Sequence, residues 1–188
     1  MNILGLNKEQ KIISLFRRGD AMAMDKLYAC YADYLTGVCS RYISGEADLK
    51  DVLQESFIKI FTQINTFEYR GVGSLKAWLV RIVVNESLLF LRKKASERMV
   101  TVTQELPDCP EEELCIGDMN EEVLLEMIQR LPAGYRTVFN LYVIEGKSHK
   151  EIADILNIKA DSSASQFHRA KQMMVRMVKD YRKKNQSI

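Results

Sequence analysis

The segment from Glu145 to Met174 constrains the fold more than any other, because its residues specify two short helices around a tight turn. Ser148 and Glu151 form an S-x-x-E capping box, in which each side chain hydrogen-bonds the backbone amide of the other residue, so a helix is predicted to begin there. Asn157 tolerates the left-handed conformation and is predicted to end this helix. A second helix then follows within a few residues.

This second helix combines an apolar stripe with a polar face, and we expect Asp161, Ser162 or Ser163 to cap it. The stripe recurs at the helical period through Phe167, Ala170, Met174, Met177, Val178 and Tyr181. With Phe167 turned to the core, the opposite face carries Ser162, Ser165, Arg169, Gln172 and Arg176, with Asp161 and His168 beside them. A helix-turn-helix inserts such a face into the major groove of DNA, where short hydroxyl side chains allow close approach. From the pattern alone, an ordinary helical hairpin is the alternative.

Apolar residues at helical spacing also dominate the rest of the chain, which has only three prolines and nine glycines. They predict a helix ended by Gly45, a helix of about five turns, a helix that Ser74 caps and that runs toward Lys94, and a further helix before Pro132. The stripes of the first two are Leu27, Tyr31, Tyr34, Leu35, Val38 and Tyr42, and Leu49, Leu53, Phe57, Ile60, Phe61 and Ile64. The stripe of the last is Val123, Leu124, Met127, Ile128 and Leu131. We therefore expect an all-α protein.

Residues 98–118 contain two prolines, an acidic cluster and no sustained period, which predicts a flexible acidic linker between two small helical domains. The charged residues divide the chain into three parts in a similar way. Residues 1–95 carry 14 Lys and Arg against 10 Asp and Glu, residues 96–122 carry 1 against 9, and residues 123–188 carry 12 against 6. Two basic modules flanking an acidic strip favour nucleic-acid contact at both ends, with a solvated charge run as the alternative.

The cysteines match no common zinc or redox spacing and are expected to be free thiols in a reducing compartment. They are Cys30, Cys39, Cys109 and Cys115. A metal-dependent hydrolase or sensor using them with His149 and His168 would need a ligand cluster that the sequence lacks, so no metal or cofactor is expected. No run is long and apolar enough to span a membrane, and the N-terminus lacks a signal-peptide pattern. We expect a cytoplasmic protein with no membrane insertion of its own.

Two parts of the chain together resemble one family. LPAGYRTVFNLYVIEGKSHKEIADILNI followed by SSASQFHRAKQMM is similar to the promoter −35 recognition domain of bacterial sigma-70 family sigma factors. DLKDVLQESFIKIFTQINTF resembles the family's helix that docks on core RNA polymerase, and FEYRGVGSLKAWLVRIVVNESLLFLRKK resembles the segment that melts and recognises the −10 element. The short chain is typical of the two-domain extracytoplasmic-function (ECF) type.

The resemblance implies a region 2-like helical bundle over residues 1–97, a linker over 98–118 and a region 4-like helix-turn-helix domain over 119–188. It also implies a non-enzymatic protein that binds core RNA polymerase and promoter DNA and directs transcription initiation, commonly restrained by an anti-sigma factor. A free-standing helix-turn-helix regulator, which would bind repeated half-sites as a symmetric dimer, is the alternative function.

Three sets of residues are carried over from the resemblance. The core-polymerase-binding set is Asp48, Asp51, Gln54, Glu55 and Ile58. The −10 DNA-binding set is Asn65, Phe67, Tyr69, Arg70, Trp78, Arg81 and Asn85. The −35 DNA-binding set is Ser162, Ser163, Ser165, Gln166, His168 and Arg169.

Residue chemistry agrees with these assignments, although each has a plainer alternative. Carboxylates three and four residues apart form an acidic strip that suits a basic partner, but they equally suit a solvated helix face. Aromatic rings stack on unstacked bases and cations hold phosphates, but Trp78 could equally belong to the core. The chain departs from the family at Asp161, where glycine is frequent, and at Ala164, where a cation is common. The missing cation predicts a shallow salt dependence of −35 binding.

Overall fold

A computed structural model describes residues 7–97 and 119–185, and these residues form helices and turns without a strand. The chain divides into two compact units, residues 1–94 and 95–188. The predicted all-α fold is confirmed. The predicted linker, 98–118, lies outside the described residues.

The first unit consists of four helices around one core. They are α1 (Lys8–Arg17), α2 (Ala23–Ser40), α3 (Glu46–Gln63) with a 3₁₀ turn at Ile64–Thr66, and α4 (Ser74–Glu97). Fully buried side chains from all four helices form this core, among them Ile12, Leu27, Leu35, Ile60, Leu75 and Leu79. Two ion pairs connect α3 to α4: Lys59 Nζ lies 2.6 Å from Glu86 Oε1, and Lys94 contacts Asp48.

The predicted end of α2 is wrong. The helix ends at Ser40, and Gly45 instead precedes α3 as its N-terminal cap. Tyr42 lies beyond the helix, where its ring is fully buried. The connection between the helices therefore belongs to the core, which helical periodicity does not reveal.

The five-turn length predicted for α3 is confirmed, but its buried residues are rotated slightly about the helix axis from the predicted stripe. Val52, Ser56 and Ile60 are its buried residues, whereas Leu53 and Phe57 are only partly buried. Ser56 can be buried because its hydroxyl donates a 2.7 Å hydrogen bond to the Val52 carbonyl of the same helix. A satisfied hydroxyl costs little to bury.

The second unit contains α5 (Glu121–Arg130), α6 (Ala133–Phe139) continued by a π-helical turn (Asn140–Ile144), α7 (His149–Leu156) and α8 (Ala160–Asn185). Its main apolar cluster joins α5, α6 and α8, as the two predicted stripes require. The buried members are Met127, Ile128, Leu131, Phe139, Ala170, Met174 and Val178.

Helix α7 begins and ends as predicted. Ser148 and Glu151 form both hydrogen bonds of the capping box, and Asn157 ends α7 in the left-handed conformation at φ 54°. Helix α8 begins at Ala160, so the prediction that Asp161, Ser162 or Ser163 caps it is wrong. These residues lie in its first turn, and their orientation decides which of them face solvent.

Candidate functional site

The loop between α3 and α4 borders a pocket of about 580 Å³. Four residues of the predicted −10 set line it: Phe67, Arg70, Trp78 and Arg81. The remaining lining residues are Gln63, Thr66, Glu68, Ser74 and Ala77. The pocket thus combines aromatic rings with two guanidinium groups, the combination that binds stacked bases and phosphates.

The aromatic wall consists of Phe67 and Trp78, whose ring centroids lie 5.2 Å apart at an interplanar angle of 45°. Phe67 is 9% exposed, whereas Trp78 is partly exposed. Arg81, one turn further along α4, is exposed. Arg70 pairs with Glu68 at 3.6 Å, but both side chains are solvated, so this pair stabilises the loop little.

Three residues of the −10 set lie outside the pocket lining. Asn65 and Asn85 are exposed, on the 3₁₀ turn and on α4. The Tyr69 hydroxyl accepts a hydrogen bond from the Asn7 side chain at the start of α1. Tyr69 therefore anchors the loop to a helix 62 residues earlier in the sequence.

The backbone of the same loop requires glycine at two positions. Gly71 and Gly73 have φ of 129° and 89°, conformations that other residues rarely adopt. Ser74 closes the turn, since its hydroxyl donates to the Gly71 carbonyl at 2.6 Å and accepts from the Arg70 amide at 3.2 Å. Glu9 accepts hydrogen bonds from the amides of Gly73 and Lys76.

Sequence reasoning missed Asn7 and Glu9. Asn7 has a local signal, because Asn7 and Gln10 form a capping box for α1. Glu9 has none, since a carboxylate in the first turn of a helix is ordinarily exposed. Its partners are backbone amides far away in the sequence.

Most of the predicted polymerase-binding set lies on the solvent side of α3. Asp51, Gln54 and Glu55 are exposed, and Ile58 is 47% exposed. Asp48 differs because it is partly buried and pairs with Lys94 on α4. An acidic face with one exposed apolar side chain remains available for a partner.

On α8, Ser165 is exposed, whereas Ser162, Gln166, His168 and Arg169 are partly buried. Arg169 Nη1 donates to the Tyr135 hydroxyl of α6 at 3.2 Å. The Nε2 atoms of His168 and Gln172 lie 3.0 Å apart, one turn apart on the helix. These side chains form a polar surface along the N-terminal half of α8.

Ser163 does not belong to that surface. It is fully buried, and its hydroxyl lies 3.0 Å from Nδ1 of His149 on α7. Its predicted role in DNA contact is corrected to a packing role between the two helices.

His149 is partly buried and contacts aromatic rings of the same unit. The Tyr142 ring stacks on it at 4.6 Å and 17°, and Tyr142 also lies 4.3 Å from the Phe167 ring. Among the described residues, no three His, Cys, Asp or Glu side chains are grouped closely enough to hold a metal ion. No described helix combines the length and apolar character needed to cross a bilayer.

Two family models match the chain: Sigma-70 region 2 over residues 27–97 and Sigma-70, region 4 over residues 121–174. The ECF RNA polymerase sigma-E factor of Haemophilus influenzae is 30% identical over 179 residues, covering 88% of this chain and 93% of that protein. The ECF RNA polymerase sigma factor SigW of Bacillus subtilis is 27% identical over 184 residues, covering 91% and 97%. A solved structure of the sigma factor RpoE with the anti-sigma factor NepR, from Bartonella quintana, is 19% identical with a TM-score of 0.49, covering 85% of this chain and 98% of that one.

The chain belongs to the sigma-70 family and is an RNA polymerase sigma factor of the ECF type. Sigma factors are initiation factors rather than enzymes, and they bind core RNA polymerase and promoter DNA. The predicted function is confirmed, and a free-standing dimeric regulator is not favoured.

Proposed function

We propose that the pocket beside Trp78 captures an unstacked base of the melted −10 strand. The observation that carries the proposal is the convergence of Phe67, Trp78, Arg70 and Arg81 on one cavity. Base capture requires an aromatic face for stacking and donors for the base edge and the neighbouring phosphates. Arg81 and Asn85 are both exposed on α4, and Asn85 continues the polar surface one turn beyond Arg81.

The exposed residues of α3 form the proposed docking face for core polymerase. Asp51 and Glu55 lie one turn apart, with Gln54 between them and Ile58 next along the helix. A negative strip with an exposed apolar residue at its end suits a basic partner surface, which it would attract before contact. Asp48 contributes by holding α3 to α4 through Lys94.

The proposed −35 contact is made by the N-terminal half of α8. Ser165 is exposed there, and Arg169 is oriented by the Tyr135 hydroxyl. Ser162, Gln166 and His168 flank them, while Ser163 is left out of the proposed contact because it is buried. Ala164 supplies no cation, so we expect few phosphate contacts and a shallow salt dependence.

Residues 1–97, 98–118 and 119–188 are the proposed polymerase and −10 domain, linker and −35 domain. Weak −35 contact suffices in this arrangement, because polymerase and the −10 strand raise the effective concentration of the second domain at its site. Cytoplasmic location and restraint by an anti-sigma factor, common in the family, complete the proposal.

The test is reconstitution of the full chain with core RNA polymerase, followed by mapping of transcription start sites on the genome of the source organism. We expect starts downstream of one shared pair of −10 and −35 sequences. Absence of initiation would overturn the proposal. A dimer that binds symmetric half-sites without polymerase would support the free-standing regulator instead.

A further inference from the structure

A buried carboxylate on helix α1, that of Glu9, holds the loop that borders the −10 pocket. Glu9 is 7% exposed, and its two oxygens accept separate backbone hydrogen bonds: Oε2 from the Gly73 amide at 2.9 Å and Oε1 from the Lys76 amide at 3.2 Å. Charge-assisted hydrogen bonds of this kind are stronger than neutral ones. Burial without these donors would be costly for a carboxylate.

The two amides are at the start of α4, where backbone donors have no partner within the helix. A side chain just before the helix ordinarily accepts from such amides, but Gly73 has no side chain. Glu9 supplies the missing acceptor from 64 residues upstream. Helix α1 therefore caps α4.

Two further contacts connect α1 with this region. The Asn7 side chain donates to the Tyr69 hydroxyl within the loop. Tyr31 of α2 also lies near Glu9, since burial and then the Glu9 carboxylate raise the pKa of its phenol, so this carboxylate lies between α1, α2 and α4. These contacts fix both the loop and the first turn of the helix that carries Trp78 and Arg81.

We propose that Glu9 is a positioning residue for promoter melting: it caps α4 from α1 and thereby holds the −10 pocket open before DNA arrives. Asn7 assists by anchoring Tyr69. This inference rests on the proposed function of the pocket. A preformed pocket lowers the ordering cost of capturing a base, so loosening it weakens strand capture while the α3 docking face is unchanged.

The experiment uses the full chain assembled with core polymerase and a single-stranded −10 oligonucleotide. Glu9→Gln keeps the shape of the side chain but removes its charge and places an amide opposite one of the two N–H donors. The matched control is Asp25→Asn, which neutralises an exposed carboxylate in the first turn of α2. We expect Glu9→Gln to lower oligonucleotide affinity about tenfold relative to this control, with unchanged affinity for core polymerase.

Trp78 is the only tryptophan of the chain and lines the pocket, so its fluorescence reports the pocket directly. In the free full-length protein, we expect acrylamide to quench Trp78 more strongly in Glu9→Gln than in Asp25→Asn. A role confined to the stability of α1 would leave both quenching and strand capture at the control level. That result would overturn the proposal.

Asn7→Ser provides a second variant if Glu9→Gln does not fold. Serine still caps α1 but is too short to reach Tyr69. We expect a loss of strand capture of about threefold, and capture equal to that of the Asp25→Asn control would then overturn the proposal. Arg81→Ala, measured in parallel, distinguishes failure of the proposed base-binding pocket from failure of the proposed positioning role. Normal strand capture by Arg81→Ala would refute the pocket. A defect in Arg81→Ala alone would refute only the positioning role of Glu9.

Discussion

The Ser163 hydroxyl lies 3.0 Å from Nδ1 of His149, and this contact joins the two helices of the helix-turn-helix. It agrees with the rotation of α8 that the buried Ala170 and Met174 require, in which Ser163 faces inward and Ser165 outward. Tyr142 covers the other partner by stacking on the His149 ring. The proposed −35 surface therefore lies opposite an internal polar contact as well as the apolar cluster of α8.

Ser163→Ala and Ser165→Ala should separate stability from DNA binding. Loss of the Ser163 hydroxyl leaves a part-buried histidine nitrogen without this partner and should lower the free energy of unfolding by about 1–2 kcal/mol. Ser165→Ala should change stability by less than about 0.5 kcal/mol but weaken −35 duplex binding about fivefold. Chemical denaturation and gel shift measure the two effects. Equal stability of the two variants would contradict the packing role of Ser163.

Charge reversal of Asp51 and Glu55 to lysine should weaken assembly with core polymerase. Both side chains are exposed, so folding should be little affected and the change should be confined to the partner surface. We expect a loss of at least tenfold in affinity, measured by competition with another sigma factor. Glu46→Lys on the same helix is the control, since Glu46 is exposed and pairs only locally with Lys50. A similar loss in the control would indicate a nonspecific charge effect.

Arg81→Ala combined with Asn85→Ala should impair promoter opening while leaving polymerase binding intact. The two side chains are exposed on α4, so their removal should take away the proposed DNA contacts rather than core packing. Permanganate reactivity of the −10 strand should fall several-fold, as expected for lost single-strand contacts. Lys26→Ala, an exposed cation on α2, serves as the control. Normal reactivity in the double variant would remove both residues from the site.

Stability should fall at alkaline pH because of Tyr31. Burial, and then the neighbouring Glu9 carboxylate, raises the pKa of this phenol from 10.0 to about 12. The unfolded chain therefore ionises first as pH rises, and the stability present below pH 10 is lost progressively up to about pH 12. Denaturation midpoints at pH 8 and pH 11 should differ more in the wild type than in Tyr31→Phe. The same difference in both proteins would show that Tyr31 makes no such contribution.

The features predicted well from sequence are those specified by nearby residues. The capping box of Ser148 and Glu151, the left-handed Asn157 and the apolar stripe of α8 each depend on spacings of a few residues. Sequence similarity supplied the residue sets, and the structure then brings Phe67, Arg70, Trp78 and Arg81 to one pocket.

Long-range hydrogen bonds account for what the sequence did not predict. Ser163 lies four residues before Phe167, hence on nearly the same side of α8, yet a hydroxyl is taken for surface unless its partner is known. His149 is that partner, 14 residues away. Glu9 is the stronger case, because its acceptor role exists only once the start of α4 has been brought beside α1.

The loop between α3 and α4 combines glycines in positive-φ conformations with exposed side chains. Gly71 and Gly73 cannot readily be replaced, because their positive φ angles strain any other residue. Val72 between them is 85% exposed, and Arg70 is solvated. If the proposed −10 role holds, randomising positions 70 and 72 alone should alter the −10 preference, and a loop transplanted from another sigma factor must still place a backbone amide at position 73 against Glu9.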